Sequence, residues 1–408
     1  MAARKPRFWL NRWIALDILI ANLLLLLTMT LLAYITVKVS FFNPFSRFIA
    51  DFNINDLLYA RLDETRGKFD TNVVLVNIGT LDRAGIAREI EVIRKFKPRV
   101  IGYDGIFAVR KDSASDAFLR QQLQAEPRVV MACYLTGEKE IKGQFDSLET
   151  SIPYFNSKRL AHVNQGGADR KLSTVRKFSP SVIFRNDTLY AMSAVLARAY
   201  DPDAFSRLKE RKSRWEIINY IGNTPSFMCF DPEDILDSNV DLSVIRDKIV
   251  LMGYIGPSYR GPTDLEDIYF TPMNGHLTGR SLPDMYGVVI HANCISMILT
   301  NDFIDTMPWW LTLFLVFMVS YFYIMLLCWY GSKKAWHYHV FLPMFLLLLN
   351  LFIVYAFFQA YKHLEYNIPS GYFMAPLLLF PTFKTYYERF LSMLNKKIKI
   401  HSIFLLKD

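Results

Sequence analysis

Cysteine is scarce in this chain: four in 408 residues, at positions 133, 229, 294 and 328. Cys328 falls inside a long apolar run, and the other three are widely spaced and odd in number. That excludes the dense disulfide framework of a small secreted domain. One pairing among Cys133, Cys229 and Cys294 stays open, against the plainer reading of small buried hydrophobes. Histidine is nearly as sparse, seven in all, with His162, His276 and His291 in the polar part of the chain. No HExxH and no Cys/His pair at zinc spacing occurs, so neither a metal nor a cofactor is expected. A GxSxG elbow and a Walker loop are also missing, which removes two common hydrolase and nucleotide-handling readings. Gly253, Gly256 and Gly261 in GYIGPSYRG match no phosphate-binding pattern and read as turn glycines. Low-complexity linkers and internal repeats are absent as well.

What the chain has in quantity is apolar sequence. Hydrophobic residues make up 52% and aromatics 15%, too many for a disordered protein. Charged residues, at 21%, are too many for a bundle of membrane helices alone. Four stretches suit a bilayer, whose core of about 30 Å needs about 20 apolar residues as helix. They are 14–38, 308–330, 340–361 and 367–386, the last broken by Pro376 and Pro381. Lys and Arg collect on the cytoplasmic side of short loops. Arg4, Lys5, Arg7 and Arg12 precede the first stretch, and Lys333 and Lys334 follow the second. Lys384, Arg389, Lys396, Lys397 and Lys399 close the set. With four crossings these clusters share one side. Both termini, 1–13 and 387–408, are then cytoplasmic, and residues 39–307 lie outside. The first stretch is about twice as long as a signal-peptide core and no small-x-small site follows it, so it is expected to be retained. The net charge of +9 sits largely in the cytoplasmic flanks, where topology and anionic lipid explain it. No nucleic-acid-binding motif accompanies it, so the expected partners are lipid and protein.

The outer block reads as one α/β domain. NVVLVNI after Thr71 is a continuous Val-rich run, as in a strand buried on both faces. DRAGIAREIEVIRKFKP follows, with Ile86, Ile90, Ile93 and Phe96 on one helical face. RVIGYDGIF gives a second buried strand, and strand–helix–strand in this span predicts a parallel βαβ unit. A helix at 115–124, strands at RVVMACYL and LAHVN, and a helix at MSAVLARAYD come next. WEIINYIG and DKIVLMGYIG read as strands, and 286–299 as a last helix. FFNPFSRFIADFNINDLLYARLDE reads as a juxtamembrane helix. The fold class expected is an α/β extracytoplasmic domain with a mostly parallel or mixed sheet, plus four transmembrane helices.

The order of these pieces resembles the second CHASE-type sensor domain, an extracytoplasmic module of bacterial receptors. VVLVNIG, VIGYDGIF, IINYIG, DPEDIL, DKIVLMGYIG, Asp264, FTP at 270–272 and GVVIHAN appear in the family's order. The resemblance implies one N-terminal membrane helix, a sensor outside, three membrane helices behind it, and the bacterial cytoplasmic membrane as location. It departs in two places. The family's acidic-glycine-arginine turn is replaced by GGADRKLSTVRKF, where Arg176 stands nearest the family arginine. Family members commonly continue into a cyclase or kinase, whereas about 20 residues follow the last apolar stretch, so no catalytic output is expected here.

Open α/β sheets bind ligands beyond the carboxyl ends of their strands. Residues expected near such ends are Asn77, Asp104, Asn219 and Gly253, with Asp264, Thr271, His291 and Asn293 on nearby loops or helix starts, and Arg176 joins the candidates through the family resemblance alone. For each, a turn or capping hydrogen bond is the competing role, and His291 between Ile290 and Ala292 has the look of a buried histidine. The expectation is a non-enzymatic membrane sensor that binds a ligand or envelope partner outside. It would relay the event to a separate membrane or cytoplasmic signalling protein, and a second copy of the chain is a further candidate partner. A structural subunit of an envelope complex is the alternative.

Overall fold

The computed structural model describes residues 12–38, 68–138, 144–155, 159–164, 174–261, 264–274, 282–331, 335–400 and 402–405. The juxtamembrane stretch 41–64 and most of GGADRKLSTVRKF fall outside them. The chain divides into two compact units, Asp51–Ile304 and a second made of Met1–Ala50 with Asp305–Asp408.

The first unit is an α/β domain. Its sheet contains β1 (Asp70–Asn77), β2 (Val100–Tyr103), β3 (Val129–Glu138), β4 (Gln144–Thr150) and β5 (Leu160–His162). It is extended by β7 (Ser181–Phe184), β8 (Asp187–Tyr190), β10 (Phe227–Phe230) and β11 (Ile249–Gly253). The order is β10-β1-β11-β2-β3-β4-β7-β8, with β5 also on β3. From β10 to β3, and between β3 and β5, every pairing is parallel. Antiparallel pairing appears only farther out, at β3–β4 and β7–β8. The sheet is mixed and mostly parallel at its centre, as its Val-rich runs predict.

Alternation along the strands builds two covered faces. Val74, Val76, Ile101, Tyr103, Val250, Met252 and Met131 join one core with Ile86, Ile90 and Ile93 of α2 (Arg83–Lys95) and Leu119 of α3 (Ser113–Ala125). Helix α2 starts where Asp82 accepts the amide of Gly85 at 2.8 Å, a standard N-cap. The opposite face is covered by α4 (Met192–Tyr200), which runs directly into α5 (Pro202–Glu210), and by α7 (Gly287–Thr300). The short α6 (Pro232–Leu236) packs beside α2. Glycine makes the close approach feasible. A Cβ on Gly102 would sit 2.6 Å from Leu196 Cδ1, and one on Gly253 2.8 Å from Val288 Cγ2.

One predicted strand is corrected. Of WEIINYIG only Glu216–Ile217 (β9) is extended pairing, antiparallel to Lys177–Phe178 (β6), outside the main sheet. The cause is polar. Arg211 holds the buried Glu216 carboxylate at 2.8 Å, and Asn293 takes the backbone of Ile221 and Gly222. The edge position beside β1 goes instead to β10, FMCF, and β12 (Ile268–Tyr269) pairs antiparallel with β13 (Met285–Tyr286) outside the main sheet. All four cysteines are buried and free.

The second unit is helical. It comprises α1 (Arg12–Lys38), α8 (Trp309–Gly331), α9 (Ala335–Leu364) and α10 (Ser370–Asn395). Three segments are long and apolar enough to cross a membrane, Ile14–Ile35, Trp309–Cys328 and Met344–Leu364. The fourth predicted stretch lies within α10, a continuous helix with Pro376 and Pro381 inside it. It does not reach the apolarity of the other three. Strand β14 (Asp305–Thr306), just before α8, pairs with β15 (Tyr366–Asn367), between α9 and α10. Asn22 Nδ2 donates to Phe317 O at 3.1 Å, tying α1 to α8.

Candidate functional site

The parallel strands end on one edge, where β1 stops at Asn77, β2 leads into Asp104, β10 into Asp231 and β11 stops at Gly253. Asn77 is fully buried. Its Nδ2 donates to Asp231 Oδ1 at 2.9 Å and to Gly256 O at 3.1 Å. Its Oδ1 accepts from Gly79 N at 3.0 Å and Ile255 N at 2.9 Å. Asp231 also accepts from Ser258 Oγ and Tyr259 N. Asn77 and Asp231 therefore pin the 254–261 loop across the ends of three strands.

Several other sequence candidates are engaged in the same manner. Asn293 Oδ1 accepts from Ile221 N at 2.9 Å, while its Nδ2 donates to Gly222 O and Val289 O, each at 2.9 Å. Asn219 lies off the main sheet, with its Nδ2 3.0 Å from Asp302 Oδ1. Thr271 gives its hydroxyl and its amide to the carboxylate of Asp284, whose pKa burial pushes up to about 6. Asp264 accepts the Tyr254 hydroxyl at 2.7 Å, and that bond holds its carboxyl below the usual range. Arg176 sits just before β6, its carbonyl taking Ile218 N at 2.9 Å.

Asp104 and His291 are different. Asp104 Oδ2 and His291 Nε2 are 3.9 Å apart, with side chains 12% and 8% exposed. Neither side chain has a hydrogen bond among the described residues. Gly253 lets them meet, since its missing Cβ leaves room for Val288 on one side and for Asp104 Cβ at 3.4 Å on the other. Burial pushes the Asp104 carboxyl up to about 7 and the His291 imidazole down to about 4. Near neutral pH the imidazole is uncharged and the acid is close to its midpoint.

Two residues outside the sequence candidates belong to this edge. His162 ends β5, is 1% exposed, and has no partner for either ring nitrogen. Burial, and secondarily His291, hold its pKa down at about 3. It forms a single parallel bridge with Ala191, the residue that precedes α4. Ser193, in the first turn of α4, is fully buried with its hydroxyl unpartnered. Helices α4 and α7 both begin without a side-chain cap hydrogen bond, and at the start of α7 the amide of Gly287 donates to Asp267 O at 3.1 Å. The rule that selected Asn77 and Asp104 also selects His162, since LAHVN reads as a strand. Ser193 carries no comparable signal in the sequence.

The arrangement supplies one titratable carboxyl, two neutral imidazoles and a hydroxyl, all short of hydrogen bonds. No nucleophile lies within hydrogen-bond reach of His291 among the described residues, and none of their His, Cys, Asp and Glu groups clusters as a metal site. Such an edge can bind a polar group that offers both a donor and an acceptor.

A family model described as the CHASE2 domain matches residues 19–331. No curated protein and no solved structure matches the chain.

Proposed function

This chain belongs to the CHASE2 domain family, a family of sensory extracytoplasmic domains, and on that premise we propose a membrane sensor subunit that catalyses nothing itself. The α/β unit takes up a small polar ligand at Asp104 and His291, with His162 close to His291 and Ser193 two residues beyond the His162–Ala191 bridge, and the helical unit passes the change to a separate membrane or cytoplasmic protein. The observation that carries this reading is the Asp104–His291 pair, 12% and 8% exposed, whose side chains have no hydrogen bond among the described residues. Burying such groups unpaired costs free energy, and a ligand that satisfies both recovers it only in the bound state.

Four crossings, with α10 as the fourth, put the α/β unit outside the bacterial cytoplasmic membrane and both termini inside. The β14–β15 pairing supports this, because it puts the start of α8 and the α9–α10 loop at one end of the helical unit. That end lacks the basic clusters.

The test is a thermal-shift screen of the detergent-purified full chain against small organic acids, amines and polyols. A compound that stabilises the parent and loses its effect in both Asp104→Asn and His291→Gln supports the site. One that acts equally on all three places the binding elsewhere. A structural subunit of an envelope complex is the second reading, favoured by the internal hydrogen bonding of Asn77, Asn219, Thr271 and Asn293. It gains if no compound binds and the outer unit holds a stoichiometric protein partner.

A further inference from the structure

We propose that residues 402–405 form a releasable strap over Asp17, and that the socket it fills accepts a partner segment of the same chemistry. Asp17 is the one charged residue in the apolar span Ile14–Ile35. A carboxylate in such a span must find a partner. Its partners lie some 385 positions away in sequence, where Ser402 Oγ and Ile403 N donate to Asp17 Oδ2 at 2.7 and 2.6 Å.

The rest of the segment is shaped for that contact. Helix α10 ends at Asn395, whose Oδ1 takes the amide of Ile400 at 2.8 Å and turns the chain back. Ser402 Oγ receives Phe404 N at 3.2 Å. The buried Phe404 ring stands edge-on to Tyr387 with centroids 5.1 Å apart. Ile403 and Leu405 pack against the same core as Ile18 and Leu391.

The strap is held by few interactions. Besides the packing of Ile403, Phe404 and Leu405, two hydrogen bonds to one carboxylate oxygen and one aromatic contact fix a single short turn, reached through the largely exposed residues 396–400. Release would leave the carboxylate unpaired against an apolar core, so an opening needs a replacement donor. A protein segment that offers a hydroxyl and a backbone amide, followed by an aromatic side chain, meets the same requirements. Tyr386, Phe390, Met393 and Ile398, 49–65% exposed, lie on the adjoining turns and would extend such a contact. This second step rests on the reading that output passes to another protein.

Accessibility of a thiol at the strap tests both steps. Leu405→Cys in the detergent-purified full chain is labelled with a maleimide fluorophore, the parent with its four buried cysteines giving the background. Labelling is expected to be slow and to rise about tenfold when Asp17→Ala is added, since two charge-assisted bonds are lost. Asp17→Asn, which keeps an acceptor oxygen, restores most of the protection. Unchanged labelling of Cys328 shows that the helical unit stays folded. Equal rates with Asp17 and with Asp17→Ala overturn the strap. A synthetic peptide of residues 399–408, in excess, should accelerate labelling only where Asp17 is present. No acceleration overturns the partner socket. Neither readout uses a ligand of the outer unit, so the strap and the sensor reading fail separately.

Discussion

Asp104, largely screened from solvent, and Glu89, fully buried, are acids with the same thermodynamic sign. Glu89 in α2 is fully buried with both carboxylate oxygens unpartnered, and burial, reinforced by Glu233, pushes its pKa up to about 8. The Asp104 carboxyl is raised to about 7. A raised acid binds its proton more tightly when folded, so its contribution to stability falls as pH rises from the unfolded pKa of about 4 to the folded value, and is level above. His162 and His291, held at about 3 and about 4, act oppositely. The unfolded chain takes up protons below about pH 6.5 that these rings refuse, so stability drops there with acidification. Between about pH 6.5 and 8 the acids alone are in range. The melting temperature of the outer unit should therefore decline across that window, less steeply in Asp104→Asn and in Glu89→Gln. Parallel curves for the parent and Asp104→Asn would mean that Asp104 is solvated like an ordinary carboxylate. Asn77 gives a contrasting case. Its four hydrogen bonds hold the 254–261 loop, and Asn77→Ala leaves the buried Asp231 short of a donor, with an expected loss of about 3 kcal/mol in denaturant unfolding.

Elements with a single periodic signal were legible in the sequence, and those decided by polar side chains were not. NVVLVNI, RVIGY and DKIVLMG announced buried parallel strands because both faces needed apolar residues, and the structure covers both. WEIINYIG looks the same on hydropathy alone, yet Glu216 and Asn219 carry polar groups that a central strand could not satisfy. Arg211 and Asn293 provide for that segment; the first lies five positions before Glu216 and the second 72 after Ile221, and neither enters the hydropathy period of the segment itself. FMCF went unread as a strand because four residues with a central cysteine give no clear period. The strand-end rule reaches Asp104, and applied to the short strand LAHVN it reaches His162 as well. What no pattern could supply was the division between residues spent on internal hydrogen bonds and the pair left without them. Glycine in the strand centre is a second test of the layering. Gly102→Ala would press a methyl into Leu196 Cδ1 and Leu251 Cδ1, 2.6 and 2.9 Å away. Both are ends of flexible side chains, so a loss of about 1–3 kcal/mol is expected. An unchanged midpoint in denaturant would show that α4 does not rest on β2.

At the scale of the whole chain, topology decides what the outer unit can sense and which surface can signal. Three basic clusters argue for both termini on the cytoplasmic side, and this requires α10 to cross despite Pro376 and Pro381. Proline costs less inside such a helix when neighbouring helices re-satisfy the freed backbone groups. Packing of this kind is present, with the Tyr323 hydroxyl of α8 donating to Leu377 O at 3.0 Å, on the turn between the two prolines. The two ends of the helical unit are also chemically distinct. One carries β14 and β15, and the other carries Asp17 with residues 402–405 bound to it. An even number of crossings is the simplest arrangement that sets the start of α1 beside the end of α10. Reporter fusions active only outside the cytoplasm, placed after Gln144 and after Asp408, should light up at Gln144 alone. Activity at both positions would mean that α10 does not cross and would put the Asp17 end and its strap on opposite sides of the bilayer, which their 2.7 Å hydrogen bond forbids. The fusion result therefore bears on the strap as well as on the number of helices, and silence at both positions would instead place the α/β unit inside.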